Sequence, residues 1–489
     1  MKSTTEWISR SVSRLRAAVP KGDKSAPSGA EGKASGDAVA KPRSTHERLE
    51  ATLRRGPEAL SPRALRKLLA DLQSVVAPEV SEIEGGRRAE AVAAWYAGAT
   101  PEERRDLWLL MCEQMVPDAG RFQSARQRYE AAAGTADEVQ AEIGLRRAML
   151  SPRTRLMQRF AVFPEGMRFL LDLRAEILPQ LKADKRLWAL DAELEQLFST
   201  WFDVAFLELR RLSWDSPASL IEKLIQYEAV HDIRSWADLK NRLDSDRRCY
   251  GFFHPRLPNE PLIFVEVALV ERISSSITPL LDEAAAPADL AKATTAIFYS
   301  ISNTQTGLRG VSFGDSLIKH VVETLSLEFP RLRTFATLSP IPGLRAWLGK
   351  NAAGLLERLD DKRRTELARA LGSPAPLQAT QLLGAFDKAL ELDAKSPVRQ
   401  ILLEGAAQYL GRQLQEGKPL DPVARFHLGN GARVERLNWG GDPSSKGLKQ
   451  SYGLMVNYLY DLKRIDKYRQ GLAQGKIPVS GEIDSLCRD

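Results

Sequence analysis

The chain has 489 residues, 43% of them hydrophobic and 27% charged, which is ordinary for a globular protein of about two domains. Its net charge of +7 is concentrated in residues 1–43, where nine Lys or Arg face four Asp or Glu, so the near-neutral body lacks the basic stripe of a nucleic-acid-binding protein. No run approaches the roughly 18 apolar residues of a membrane span, and three scattered cysteines and five histidines lack metal-ligand spacing, so no metal, disulfide framework, nucleic acid or membrane is expected and a reducing cytoplasm fits.

Residues 1–43 read as a disordered basic tail and linker. Within them, Trp7 to Val19 has the Ser/Arg pattern of a basic amphipathic helix, as in some transit peptides. Lys21 to Pro42 is rich in Gly, Ala, Ser and Lys. Residues 44–198 read as helical. Ser61-Pro62 supplies a capping oxygen and a first-turn proline, and Leu65, Leu68, Leu69, Leu72 and Val75 follow at helical spacing. Thr100 and Glu103 form a capping box, and Ser151-Pro152 opens a further helix. This stretch carries no chemical constellation and reads as a packing or oligomerisation domain.

Residues 199–489 mix strands with helices, which makes the fold class α+β. Leu262 to Val270, Ala296 to Ser302, Thr334 to Leu338 and Ala432 to Trp439 read as strands. Asp315 to Phe329 reads as a helix, and residues 350–420 as a helical insertion. Gly453 to Tyr460, with its aromatics, reads as an amphipathic helix.

Three segments have chemical content. Between the second strand and the Asp315 helix lies a loop with Gly307, Gly310 and Gly314. Such a loop exposes backbone N–H groups at a helix N-terminus, which suits a pyrophosphate, and Arg309 adds a cation. Ser339 precedes Pro340, which holds its backbone extended and fixes the direction of its hydroxyl. His427, before Asn430-Gly431, can deliver a proton near working pH.

Arg309-Gly310-Val311-Ser312-Phe313-Gly314 resembles the acyl-CoA signature of the GNAT acetyltransferase superfamily, with Ser312 where that signature usually has Gly. Gly251-Phe252-Phe253-His254-Pro255, residues 298–311 (FYSISNTQTGLRGV), 338–343 (LSPIPG), 426–432 (FHLGNGA), 436–442 (RLNWGGD) and 453–460 (GLMVNYLY) together resemble the malonyl-CoA decarboxylase family. The resemblance runs from about residue 200 to 475. It implies an N-terminal helical domain and a GNAT-like catalytic domain (199–489), and the release of carbon dioxide from malonyl-CoA without metal or organic cofactor. It implies homo-oligomers, dimers or tetramers, formed through the helical domain. It implies Ser339 as proton acceptor and His427 as proton donor, with Ser300 and Tyr460 as further active-site residues. It maps the coenzyme A loop onto Arg309, Gly310, Val311, Ser312, Phe313, Gly314 and Asp315. Two other readings share part of the pattern: a GNAT-type acyltransferase, which needs an acceptor, and a catalytically degenerate acyl-CoA-binding protein, at which Ser312 hints.

Overall fold

Hydroxyl side chains and prolines set the helix starts. In the computed structural model, which describes residues 43–56, 58–311, 313, 317–373 and 376–488, Ser61 accepts from the Ala64 N–H and caps Pro62–Val76. Thr100 and Glu103 close the expected capping box on Pro101–Gln114, and Ser151 caps Pro152–Phe160. The face carrying Leu65, Leu68, Leu72 and Val75 is buried, as the spacing requires. The tail segments Trp7 to Val19 and Lys21 to Pro42 lie outside the described residues, as do Ser312, Gly314 and Asp315.

Helices continue through Gly166–Ile177 and Trp188–Trp201, and a mixed sheet then takes over. Its strands are β1 (Glu208–Leu212), β2 (Arg247–His254), β3 (Leu257–Val270), β4 (Thr295–Asn303), β5 (Thr334–Thr337), β6 (Ser339–Pro340), β9 (Arg433–Asn438) and β10 (Met455–Leu459). The short pair β7 (Leu414–Gln415) and β8 (Lys418–Pro419) stands apart from them. The order is β1-β2-β3-β4-β5-β10-β6, with β9 also paired to β10. Among the described strands β4 and β5 pair in parallel, joined across by the helix Leu317–Glu328. Helices Leu344–Glu357, Asp361–Leu371, Ala379–Phe386 and Pro397–Arg412 fill the expected insertion between β6 and β9. Residues Thr45–Asp489 form one compact unit.

The expected helix over Gly453 to Tyr460 is instead strand β10. Met455, Val456, Asn457 and Tyr458 are all buried, because β10 lies inside the sheet between β5, β6 and β9. A strand buried on both faces loses the alternation that marks a half-exposed one, and a short apolar run then resembles a helix segment. Strand β1 is largely charged and β2 mixes arginines with aromatics, so neither shows a strand pattern in the sequence.

Two irregularities open the sheet. β4 pairs with β5 only over Thr295–Phe298. After Leu338, whose N–H still reaches Phe298 O, the neighbouring chain leaves β4 and becomes β6. On its other side β4 shifts register against β3 between Glu266 and Val267, where Tyr299 is the extra residue. A bulge bends its strand and re-aims side chains. The wedge that results carries Ser300 on one wall and Ser339 on the other.

The helical half pins the loop beyond β4. Leu171 packs so closely on Gly307 that a Cβ there would stand 2.2 Å from Leu171 O. Buried Arg174 donates to the Gly307 and Arg309 carbonyls, at 2.6 and 2.9 Å, and pairs with Asp191 at 2.8 Å. Arg174→Ala leaves that buried set without its donor, and a loss of about 3 kcal/mol of stability is expected. Equilibrium denaturation checks it: an unchanged midpoint would show that the loop is held by packing alone.

Candidate active site

Thr337, Leu338 and Ser339 pass from β5 into β6, and Pro340 keeps Ser339 extended. Ser339 is buried at the head of the wedge. Its hydroxyl donates to Thr337 Oγ1 at 2.9 Å, and the same oxygen accepts the Tyr458 N–H at 3.1 Å. His427 lies in the last turn of the helix Pro422–Gly429, which Asp421 caps by accepting from Val423 and Ala424 N–H. That helix brings His427 Nε2 to 3.2 Å from Ser339 Oγ, across 88 residues of chain. On its far side His427 Nδ1 lies 2.8 Å from the Tyr460 hydroxyl. The ring stacks on Tyr458, with centroids 4.7 Å apart and planes inclined by 27°.

Burial fixes the protonation state of this chain of groups. With no charged partner, the His427 imidazole is pushed down to about 3, because the dry surroundings disfavour the cation. The same burial pushes the Tyr460 phenol up, so it keeps its proton. A buried O–H without an acceptor is costly, and His427 Nδ1 provides one. Nδ1 therefore accepts from Tyr460, and the ring proton resides on Nε2, facing Ser339.

Ser339 and His427 line a cavity of about 300 Å³, together with Ser300 and Ile301 of β4, Val311 and Phe313 of the loop, and Phe426. Larger hollows of about 790 and 820 Å³ open on the helical half around Arg121 and Arg147. Neither contains a hydroxyl–imidazole pair, so chemistry rather than size selects the smaller one. Of the loop residues singled out from sequence, Gly310, Val311 and Phe313 line the cavity, and Gly310 uses a φ of 81°, as glycine permits. Arg309 stands exposed, outside the lining.

Ser300 reaches the cavity wall but is not free. Its hydroxyl donates to Glu228, at 2.8 and 2.7 Å from the two carboxylate oxygens. Ser302 donates to the same carboxylate at 3.1 Å, and the N–H groups of Val230 and His231 each reach it at 2.8 Å. Sequence reading passed over Glu228, which belongs to no motif. It also passed over Thr337 and Tyr458; the i, i+2 spacing of Tyr458 and Tyr460, which puts both on one face of a strand, was the available signal. Among the described residues no group of three His, Cys, Asp or Glu is placed to hold a metal, and no helix is long and apolar enough to cross a membrane.

Residues 205–489 match the family described as malonyl-CoA decarboxylase C-terminal domain, and residues 115–202 its N-terminal domain. The mitochondrial malonyl-CoA decarboxylase of Anser anser anser is 36% identical over 399 residues, 77% of this chain and 78% of the relative. That of Rattus norvegicus is 38% identical over 358 residues, 71% and 72% of the two chains. The crystal structure of malonyl-CoA decarboxylase from Cupriavidus metallidurans superposes with a TM-score of 0.72 at 42% identity, covering 87% of this chain and all (100%) of the other. That from Rhodopseudomonas palustris gives 0.73 at 40% identity, covering 86% and 99%.

Tyr460→Phe removes the group that sets the imidazole tautomer, and kcat is expected to fall roughly 10- to 100-fold with little change in KM. Steady-state kinetics check this; an unaltered kcat would show that Tyr460 only packs. A second expectation concerns acid. Burial holds His427 at about 3 and His231 at about 4, below the usual 6.5. Between these values and 6.5 the unfolded chain binds the extra protons, so their contribution costs stability progressively as pH falls from about 6.5. His427→Gln should lose less stability than the parent between pH 6.5 and 4.5 in denaturant titrations. An equal loss would mean that the ring is hydrated.

Proposed function

The chain belongs to the malonyl-CoA decarboxylase family and is a carboxy-lyase that converts malonyl-CoA to acetyl-CoA and carbon dioxide, and we propose that Ser339, His427 and Tyr460 carry its chemistry. The observation that supports this assignment is the continuous contact from Ser339 Oγ through both ring nitrogens of His427 to the Tyr460 hydroxyl, with Ser339 and His427 lining one cavity and Tyr460 buried on the far side of the ring.

The malonyl carboxylate enters beside Ser339, whose hydroxyl turns from Thr337 to bind it and hold the breaking C–C bond perpendicular to the thioester plane. That bond's electron pair moves into the thioester carbonyl, carbon dioxide leaves, and an enolate remains. His427 Nε2 then gives its proton to the enolate carbon. Overall one proton is consumed. An anionic carboxylate beside the ring favours the imidazolium, so entry of the substrate loads the acid that burial leaves neutral in the free enzyme. Tyr460 serves both states: its O–H donates to the neutral ring, and its oxygen accepts from Nδ1–H once the ring is charged. Remote binding energy comes from the coenzyme A arm on the loop from Arg309 to Asp315. Arg309, exposed at the cavity's rim, suits a phosphate.

The chemistry uses these side chains alone, without metal or organic cofactor. The catalytic domain is residues 199–489, GNAT-like in plan. Residues 44–198 form the helical domain through which copies associate as dimers or tetramers, and residues 1–43 carry most of the chain's net positive charge. The buried, unpaired thiols Cys112 and Cys249 suit a reducing cytoplasm.

The purified protein, given malonyl-CoA with EDTA and no acceptor, should release acetyl-CoA and carbon dioxide in equal amounts by mass spectrometry. In D2O the acetyl group should gain one deuterium per turnover. His427→Ala should lower kcat by roughly two to four orders of magnitude. Wild-type kcat in that variant would remove His427 from the mechanism, and free CoA appearing only with an added amine would indicate acyl transfer.

A further inference from the structure

Glu228 is a buried carboxylate that the mechanism above does not use, yet it stands directly behind the cavity wall. Its two oxygens take two hydroxyl donors, from Ser300 and Ser302, and two backbone donors, from Val230 and His231. An acceptor with this many donors is a carboxylate rather than a carboxyl. The segment it holds is clamped from outside as well. Lys446 Nζ donates to the Ala229 and Val230 carbonyls, each at 2.9 Å. Of the residues so held, Val230 and Ser300 line the cavity.

The consequence lies in the polarity of Ser300. A serine hydroxyl has one hydrogen and two lone pairs. The Ser300 hydrogen is committed to Glu228 and Ser302 Oγ lies 3.3 Å away, so what remains for a ligand is a lone pair. A group meeting Ser300 from the cavity must therefore be a hydrogen-bond donor. The malonyl end of the substrate has none, since its carboxylate and thioester carbonyl only accept. The first donor along the molecule from the thioester is the cysteamine amide N–H of the coenzyme A arm. The negative charge behind Ser300 also repels the malonyl carboxylate, which favours the Ser339–His427 end.

We infer that Glu228 is a positioning residue that fixes Ser300 as a hydrogen-bond acceptor, and that Ser300 receives the cysteamine amide N–H and so sets which way the substrate lies. This rests on the decarboxylase reading of the same cavity. It gives Ser300, which the resemblance implies only as an active-site residue, the role of acceptor, since its hydrogen is already taken.

The test uses two small substrates with the full-length protein. One is the malonyl thioester of N-acetylcysteamine, and the other is its isostere in which an ester oxygen replaces the amide N–H. Their kcat/KM ratio is taken within one preparation, so a variant that folds only in part still reports. The parent should prefer the amide by roughly tenfold, the worth of one hydrogen bond. Ser300→Ala should reduce the preference to within about twofold. Glu228→Gln should do the same, because the glutamine amide donates to Ser300 and turns its hydrogen toward the cavity. In the Ser300→Ala background, Glu228→Gln should have no further effect on the ratio, which a merely structural role would not produce. Equal kcat/KM for both substrates in the parent, or an unchanged ratio in Glu228→Gln, would overturn the inference and leave the decarboxylase reading standing. Failure of the parent to release carbon dioxide from malonyl-CoA itself would overturn both.

Discussion

His427 holds Nδ1 2.8 Å from the Tyr460 hydroxyl, and both residues are buried. Because the ring is dry it is neutral, and because it is neutral one nitrogen must accept while the other donates. Much of the surrounding architecture follows from meeting that condition. Tyr460 has to arrive with its hydroxyl unionised, at the end of an interior strand. Tyr458 has to lie two residues earlier, so that its ring stacks on the same imidazole. Ser339 has to stand on the neighbouring strand, in the extended conformation that Pro340 imposes, to meet Nε2. The sheet supplies all three positions from β6 and β10, which pair directly.

Buried charge serves a different purpose here from buried hydrophobic area. Arg174 ties the helical half to the loop beyond β4, and Arg242 underlies the other side of the wedge, paired with Glu266 at 3.0 Å and Asp238 at 2.7 Å. Glu266 faces Ser300 across β3 and β4. Such pairs add little net stability, since desolvation offsets their attraction. They penalise alternatives: a shift of the loop or of β4 by one register step strands a charge out of water. The cavity walls are thus held at defined positions although the sheet is open there.

Legibility from sequence tracks how local each cause is. Ser61, Thr100 and Ser151 act on the next turn of chain, and their caps were readable. β3, β4 and β5 were readable because their apolar runs stand between turn signals, and β9 from its alternation. β10 was misread because burial on both faces erases the period-two pattern, and with it went the geometry that makes Tyr458 and Tyr460 neighbours. Ser339 and His427 were legible as residues but not as a pair, since their contact depends on 88 intervening residues folding first. Glu228 and Arg174 carry no local signature at all. Their partners, Ser300 and Gly307, lie 72 and 133 residues away.

Considered together, the polar groups around the cavity divide it into two ends. At the Ser339–His427 end the wall offers hydrogens: a hydroxyl that can turn from Thr337 and an Nε2–H. At the Ser300 end it offers lone pairs backed by the Glu228 carboxylate. A ligand that is anionic at one terminus and carries an amide N–H a few bonds away fits this gradient in one direction only. The gradient also acts on the reaction itself. In the proposed mechanism, negative charge begins on the malonyl carboxylate, passes to the enolate and is quenched at the imidazole, all at the end remote from Glu228. Charge developing at the opposite end would face a fixed anion in a medium of low dielectric, where repulsion is strong. On the reading proposed above, the carboxylate beneath Ser300 makes productive binding the favoured orientation, without itself touching the substrate.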